Sequence, residues 1–325
     1  MQGNPAGSLR TVAARPAAIA ILLAAAAMGP LASHAGAAPA PAVVSTGGAS
    51  AVSYGSATLH GSVNPRGSDA SYYFQYGPTK AYGGQTTIAD AGAGTGTVNV
   101  SLAVTGLQPL TTYHYRLVAV NAAGAVNGSD RTLMTTKVPL SLQIVSSPDP
   151  VLYGATAIVQ GTLSGTGNGN RGVVLQANQF PFSAGFQNVG NPELTTAGGG
   201  FSFPVLGLAQ TTQFRVVTAT NPPVMSPVTL ETVAVRVSVH VRRARRPHSL
   251  RIFGTVTPAE AGMQLGVLRI VHGRGVLVGG STLRGAVGRS AFSVVIPARA
   301  GVYRVLALIR NSAQASNYSR PVLIR

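Results

Sequence analysis

The sequence predicts an all-β protein, three tandem β-sandwiches following a short N-terminal address segment. Three observations predict it. Apolar and polar residues alternate at period two, in short stretches broken by Gly, Pro, Asn and Asp, which is the pattern of half-buried antiparallel strands. Two landmarks recur at the period of a small sandwich domain. Beyond the N-terminal segment, no stretch combines helical periodicity with caps.

The first landmark is a Gly-x-Val/Leu step at Gly61 to Pro65, Gly161 to Gly165 and Gly254 to Pro258, spaced by 100 and 93 residues. The second is an aromatic–Arg pair at Tyr115–Arg116, Phe214–Arg215 and Tyr303–Arg304, with the arginines 99 and 89 residues apart. Each pair opens an apolar run.

Residues 1–37 have the form of a secretory signal peptide. Arg10 and Arg15 precede an apolar run from Pro16 to Met28, Gly29 and Pro30 break it, and Ala35-Gly36-Ala37 offers a small-x-small cleavage site. Ala17 to Met28 is 12 residues long, against about 20 needed to span a bilayer. No later segment is long and apolar enough to span. The mature chain is therefore expected to be secreted and extracellular, either free or associated with the cell surface.

The first unit covers residues 46–136. Ala57, Leu59, Gly61 and Val63 share one face, with Ser56, Thr58, His60 and Ser62 on the other, and Tyr72, Phe74 and Tyr76 line a second strand. In Gly106 to Gly124 (GLQPLTTYHYRLVAVNAAG), the residues Leu107, Pro109, Thr112, Tyr113, Arg116, Val118, Ala119, Asn121 and Gly124 resemble the strand-F signature of fibronectin type III domains. The resemblance implies that Tyr113 is a tyrosine corner, its hydroxyl bonded to backbone a few residues upstream. Such domains usually carry a Trp near the place of Gly61, and this chain has none. Tyr72, Phe74 and Tyr76 are expected to fill that space. The second and third units, residues 138–232 and 233–325, lack the Leu-x-Pro-x-Thr-x-Tyr run and resemble bacterial immunoglobulin-like domains more loosely.

The second unit inserts Gln179 to Asn191 (QFPFSAGFQNVGN), which has no period-two pattern and reads as a loop. Long loops are often functional. Phe180, Phe182 and Phe186 suit either a sugar-stacking platform or a plug over the end of their own sandwich.

The third unit opens on an alternating run, Val233 to Val241. It reads as one strand entered through a short, stiff junction. Charge is concentrated here. The chain carries +17, and residues 236–325 hold fifteen arginines and a single acid, Glu260, for a net +14. Arg242, Arg243, Arg245 and Arg246, followed by Arg251, are expected to form an exposed loop ended by Pro247. Such a run either holds an anionic partner, such as wall phosphate polymers, acidic polysaccharide, lipid head groups or extracellular DNA, or serves as a solvated charge run. No aromatic lies inside it, so any nucleic-acid binding should ignore base sequence.

Little in the chain points to catalysis. There is no Cys and there are only seven acids, which removes thiolate chemistry and leaves few carboxylates. No G-x-S-x-G, H-E-x-x-H or Walker-type loop appears. Gly167, Gly169 and Gly172 match G-x-G-x-x-G, but they lie between two strand patterns, where a dinucleotide site needs a strand and then a helix. His60, His114 and His240 sit on polar strand faces without metal-ligand spacing. Asp69, Asp90 and Asp130 occur singly in turn-like contexts. No catalytic residue, cofactor site or metal site is assigned. Asn99, Asn127 and Asn317 head glycosylation sequons, relevant only in a source that glycosylates. The expected role is that of a non-catalytic surface or matrix protein built of spacer and binding modules and retained on anionic envelope polymers by its basic C-terminal domain. The alternative is a carbohydrate-binding accessory protein of a polysaccharide-degrading system.

Overall fold

A computed structural model describes residues 38–325. The signal-peptide reading of residues 1–37 lies outside them. Every regular element among the described residues is a β-strand. The strands build three sandwiches, each closed around its own apolar core.

In the first sandwich, Val43–Ser50, Ser56–Asn64 and Val98–Thr105 form one antiparallel sheet. It faces a second sheet centred on Ala70–Gly77 and Thr112–Asn121. Period-two alternation turns Ala57, Leu59 and Val63 inward, where they meet Phe74, Tyr115 and Leu117 from the facing sheet. Each fully buried side chain of this size contributes about 1.5–3 kcal/mol of transfer free energy. Ala42 also packs in this core. Strand Val43–Ser50 supplies Thr46, whose buried hydroxyl accepts the Leu117 N–H at 3.1 Å.

Strands Ser141–Ser147, Ala157–Ser164 and Gly200–Val205 make one sheet of the second sandwich, against Gln187–Leu194, Gly172–Gln179, Thr212–Thr218 and Thr229–Glu231. The insertion Gln179 to Asn191 is therefore not one loop. Its second half enters strand Gln187–Leu194, pairing Leu175 with Val189 and Ala177 with Gln187. That strand is an edge exposed along nearly its whole length, with only Val189 packed against the core, so no hydrophobic alternation marked it. The glycine-rich stretch around Gly167 and Gly169 is a turn between two strands of this sandwich.

The third sandwich places Arg236–Arg243, Ser249–Thr257, Arg289–Pro297 and Arg284–Ala286 opposite a sheet built on Arg274–Thr282, Gln264–Val271 and Gly301–Leu308. The alternating run Val233 to Val241 is split between two modules. Val233 packs in the second core, and Val233–Ala234 pairs in parallel with Val151–Leu152. Val235 belongs to the third core. All the alternating valines are buried or half-buried, but in two different cores, and a period alone does not tell one core from another. The junction is stitched by hydrogen bonds from Thr211 N–H to the Ala313 carbonyl at 2.7 Å and from Ala315 N–H to the Val233 carbonyl at 2.7 Å. Arg236 Nε donates to the Tyr153 carbonyl at 2.6 Å.

The repeated glycines prove equivalent. Gly61, Gly161 and Gly254 each lie between Thr46 and Val100, Ile144 and Phe201, and Val239 and Phe292 respectively. A Cβ on Gly161 would stand 2.7 Å from Phe201 Cζ, and one on Gly254 would stand 3.0 Å from Phe292 Cζ. The aromatic neighbour fills the place of the missing side chain in these two modules. In the first module, Leu117 Cδ2 lies 2.6 Å from the position of a Gly61 Cβ. Leu117 of the facing sheet thus occupies the place that the sequence reading assigned to Tyr72, Phe74 and Tyr76.

One buried acid lies at the end of the second core. Glu231 is 0 % exposed, and among the described residues no well-formed hydrogen bond reaches its carboxyl oxygens or the nearby Ser146 hydroxyl. Burial pushes the Glu231 carboxyl above its ordinary 4.5, with help from the charge of Asp149 and against weaker opposing contacts from the Ser146 hydroxyl and the Val151 backbone. The folded state therefore holds this proton more tightly than the unfolded chain. The stability it confers is full below pH 4.5 and is lost as pH rises through the higher folded value. Glu231→Gln is expected to flatten this loss and to stabilise the second module at neutral pH. Thermal melts of both proteins from pH 4 to 8 check it, and parallel curves would refute the assignment.

Candidate polyanion-binding face

The arginine run continues the third sandwich instead of interrupting it. Arg242 and Arg243 are the last residues of strand Arg236–Arg243, paired with Arg251 and Leu250, so only Ala244 to His248 form the turn. Arg243, Arg245 and Arg246 are exposed at this tip. Alternation puts Ser238, His240 and Arg242 on the outer face of the sheet, level with Thr255, Phe253 and Arg251. Arg284, on the far strand, joins the same face beside Ala291.

These residues line two adjoining clefts. One, of about 430 Å³, runs between Arg242, Arg251, Phe253, Ser293 and Arg284. The other, of about 830 Å³, is walled by Arg242, Arg243, Arg245, Arg246 and Arg251. Arg251 Nε donates to Ser293 Oγ at 2.6 Å, which fixes its guanidinium. Phe253 lies between His240, at 5.6 Å ring to ring, and Arg242, whose Cζ is 5.2 Å from the ring centre. The run lacks an aromatic in sequence, yet the neighbouring strand supplies one. Its signal was the hairpin register, which pairs His240 with Phe253. Arg284 and Ser293 had no comparable signal, because only sheet order brings them near.

Like charges directly opposite on a sheet repel, and Arg242 faces Arg251 without relief. Among the described residues the one contact between a basic side chain and a carboxylate within 4 Å joins His114 to Asp130 at 2.8 Å. Glu260, the single acid of the basic region, is 6 % exposed and accepts from Asn311 Nδ2 at 2.8 Å. Burial raises its carboxyl as well, against the opposing bond from Asn311. It neutralises no arginine.

The other candidate residues are placed as follows. Tyr113 is 8 % exposed and its hydroxyl accepts the backbone N–H of Gln108 at 2.9 Å, in the upstream direction a tyrosine corner requires. Tyr113→Phe removes this bond and leaves the Gln108 N–H partly buried, an expected loss of about 1 kcal/mol. A urea midpoint unmoved by the substitution would contradict that role. Phe180, Phe182 and Phe186 are half-buried and none enters the second core. Phe180 and Phe182 meet edge to face, 5.7 Å apart at 85°. Phe186 is covered by Arg215, whose Cζ is 4.2 Å from the ring centre.

That last contact belongs to a repeated device. Arg116 covers Tyr82 at 4.7 Å, and Arg304 covers Tyr318 at 4.7 Å. Arg116 and Arg215 each donate Nε to the glutamine opposite, Gln75 and Gln176, at 2.8 and 2.7 Å. The arginine of the repeated aromatic–Arg pair thus caps an aromatic on the outer face of each module. Asp90 forms an Asx turn through the Gly92 N–H. Asp130 departs from the turn role. It accepts from Tyr82 Oη at 3.0 Å and contacts His114. Burial is the largest single influence and raises its carboxyl, but the hydrogen bonds from His114 and Tyr82, together with the nearby His114 and Lys80, outweigh it and hold the carboxyl below its ordinary value. Among the described residues no cluster of His and acid side chains could hold a metal ion, and no helix is long and apolar enough to cross a membrane.

No protein-family model matches the chain, and no curated protein matches it. Solved structures of low similarity include the sensor domain of the anti-sigma factor RsgI4 of Pseudobacteroides cellulosolvens, at 19% identity over 30% of this chain and 90% of that one, with a TM-score of 0.21. The FN1-FN3 domains of chicken CNTN1 align at 13% identity over 86% of this chain and 98% of that one, with a TM-score of 0.28. A tetra-tandem repeat from the extending region of a large adhesion protein aligns at 17% identity over 87% and 74%, with a TM-score of 0.27. The strands, sheets and cores of this chain define it as a multimodular β-sandwich protein.

Proposed function

We propose that this is an exported, non-catalytic β-sandwich protein whose first two modules act as spacers and whose third holds it on anionic polymers, either of the cell envelope or an acidic polysaccharide. The observation that carries the reading is the outer sheet face where Arg242, Arg251 and Arg284 line one cleft beside the Arg243–Arg246 tip, with no carboxylate among the described residues paired to any of them. An unneutralised cluster of this kind raises the local concentration of polyanions and releases their counterions on contact. The spacer role of the second module is favoured over a sugar platform because Phe180 and Phe182 stand perpendicular and Arg215 covers Phe186. They offer no common flat surface for a sugar.

Residues 38–325 should be retained at about 50 mM salt, where screening is weak, on isolated envelope, acidic polysaccharide beads and duplex DNA, and should elute as salt rises. Failure to bind all three at low salt would refute the proposal. Saturable binding to neutral polysaccharide, insensitive to salt, would favour the accessory-protein alternative.

A further inference from the structure

We propose that the third sandwich also carries a small-molecule site, a cavity between its sheets that takes a short amphipathic anion. It is open to solvent on one side, where Val276 is 49 % exposed, holds about 240 Å³ and shares no lining residue with the basic clefts. Val271, Val276 and Val278 form one wall and Ile296 the other. Tyr303 closes the floor with its ring 2 % exposed, and its hydroxyl is already given to the Arg299 carbonyl at 2.9 Å. The interior therefore offers a tail apolar walls and little to hydrogen-bond.

Pro297 and two arginines, Arg269 and Arg299, complete the lining. Arg269 is held in place, since its Nη2 donates to the Ala300 carbonyl at 3.0 Å. Its Nε is buried against Gly301 and has no hydrogen-bond partner among the described residues. Gly301 makes this position possible. Its φ is +146°, and a Cβ there would stand 3.0 Å from Arg269 Nε. No carboxylate among the described residues pairs with either arginine. An oriented guanidinium with unused donors beside an apolar cavity is suited to a carboxylate, sulfonate or phosphate head. The apolar walls select against a hydroxylated ligand. The volume lies below the roughly 300 Å³ at which drug-sized sites begin, so the tail is short. The site takes a free short-chain anion and is too small for a diacyl lipid.

The test titrates residues 38–325 with hexanoate, hexanol and acetate, followed by amide chemical shifts. Hexanoate is expected to saturate, to shift the amides around Val271 to Val278 and Arg299 to Tyr303, and to bind at least about tenfold tighter than hexanol or acetate. Arg269→Gln and, separately, the exposed Arg299→Gln should each weaken hexanoate by roughly tenfold, the loss of one charge-assisted contact. Val278→Phe should fill the cavity and abolish binding, with amide protection elsewhere retained. Arg242→Ser should leave hexanoate binding unchanged, which separates this site from the polyanion face. The proposal is overturned if hexanoate fails to saturate by about 10 mM, if hexanol binds as well as hexanoate, or if the shifts follow Arg242→Ser and not the Arg269 and Arg299 variants. Binding to phosphatidylglycerol vesicles that is lost with Val278→Phe would overturn the assignment to a free anion.

Discussion

Gly254→Val is expected to destabilise the third module by about 3 kcal/mol, the upper end of the ordinary range for overpacking. Gly254 sits mid-strand, in register with Val239 on one side and Phe292 on the other. A Cβ there would collide with the backbone carbonyl of Ser238 and stand 3.0 Å from Phe292 Cζ. The ring can rotate away, but the carbonyl is part of the sheet ladder and cannot. Valine adds two further carbons on the same side. Hydrogen exchange of Ser249–Thr257 reads the effect module by module, which a single global melt of a three-core chain does not. Unchanged protection there would show that the glycine is not required. Gly161→Val should behave alike against the Gln143 carbonyl and Phe201. Gly61→Ala should cost less, because one of its two close neighbours is the end of the Leu117 side chain, 2.6 Å away.

Replacing Arg242, Arg243, Arg245 and Arg246 together by Ser should abolish retention on anionic polymers while leaving the fold intact. Three of the four are exposed at or beside the turn, and Arg242 lies on the outer face over Phe253, so no core contact is lost. On duplex DNA, used as a polymer of known charge density, four phosphate contacts correspond to a log–log salt slope of about −3.6. Affinity through these four alone should then fall by roughly 150-fold between 50 and 200 mM salt. The quadruple variant should lose that share of the slope, and Arg284→Ser about 0.9 of it. The substitution also removes the repulsion between Arg242 and Arg251, so the variant should melt no lower than the parent. Equal affinity and slope in parent and variant would remove the face from consideration.

The all-β class was legible because burial on one side of a sheet forces alternation. Leu59 and Val63 fall inward and His60 and Ser62 outward at a spacing of two. The landmark glycines were legible as a repeat, though their purpose was not. The neighbours that forbid a side chain, Phe201 and Phe292, lie about forty residues further along the chain. Strand Gln187–Leu194 left no trace because an edge exposed along nearly its whole length needs no alternation.

The sequence alone determined the period, the inward residues and the accumulation of arginine beyond residue 236, since each follows from local order along the chain. Tertiary structure decided the rest. It divided the valine run between two cores, because Val233 and Val235 are carried into different sandwiches. It capped an aromatic with an arginine on each module. It also drew Arg284, Phe253 and Ser293 to the arginine run. Contacts of this kind depend on which strands lie side by side. Sheet order results from closing two faces over one core, and no spacing along the chain encodes it.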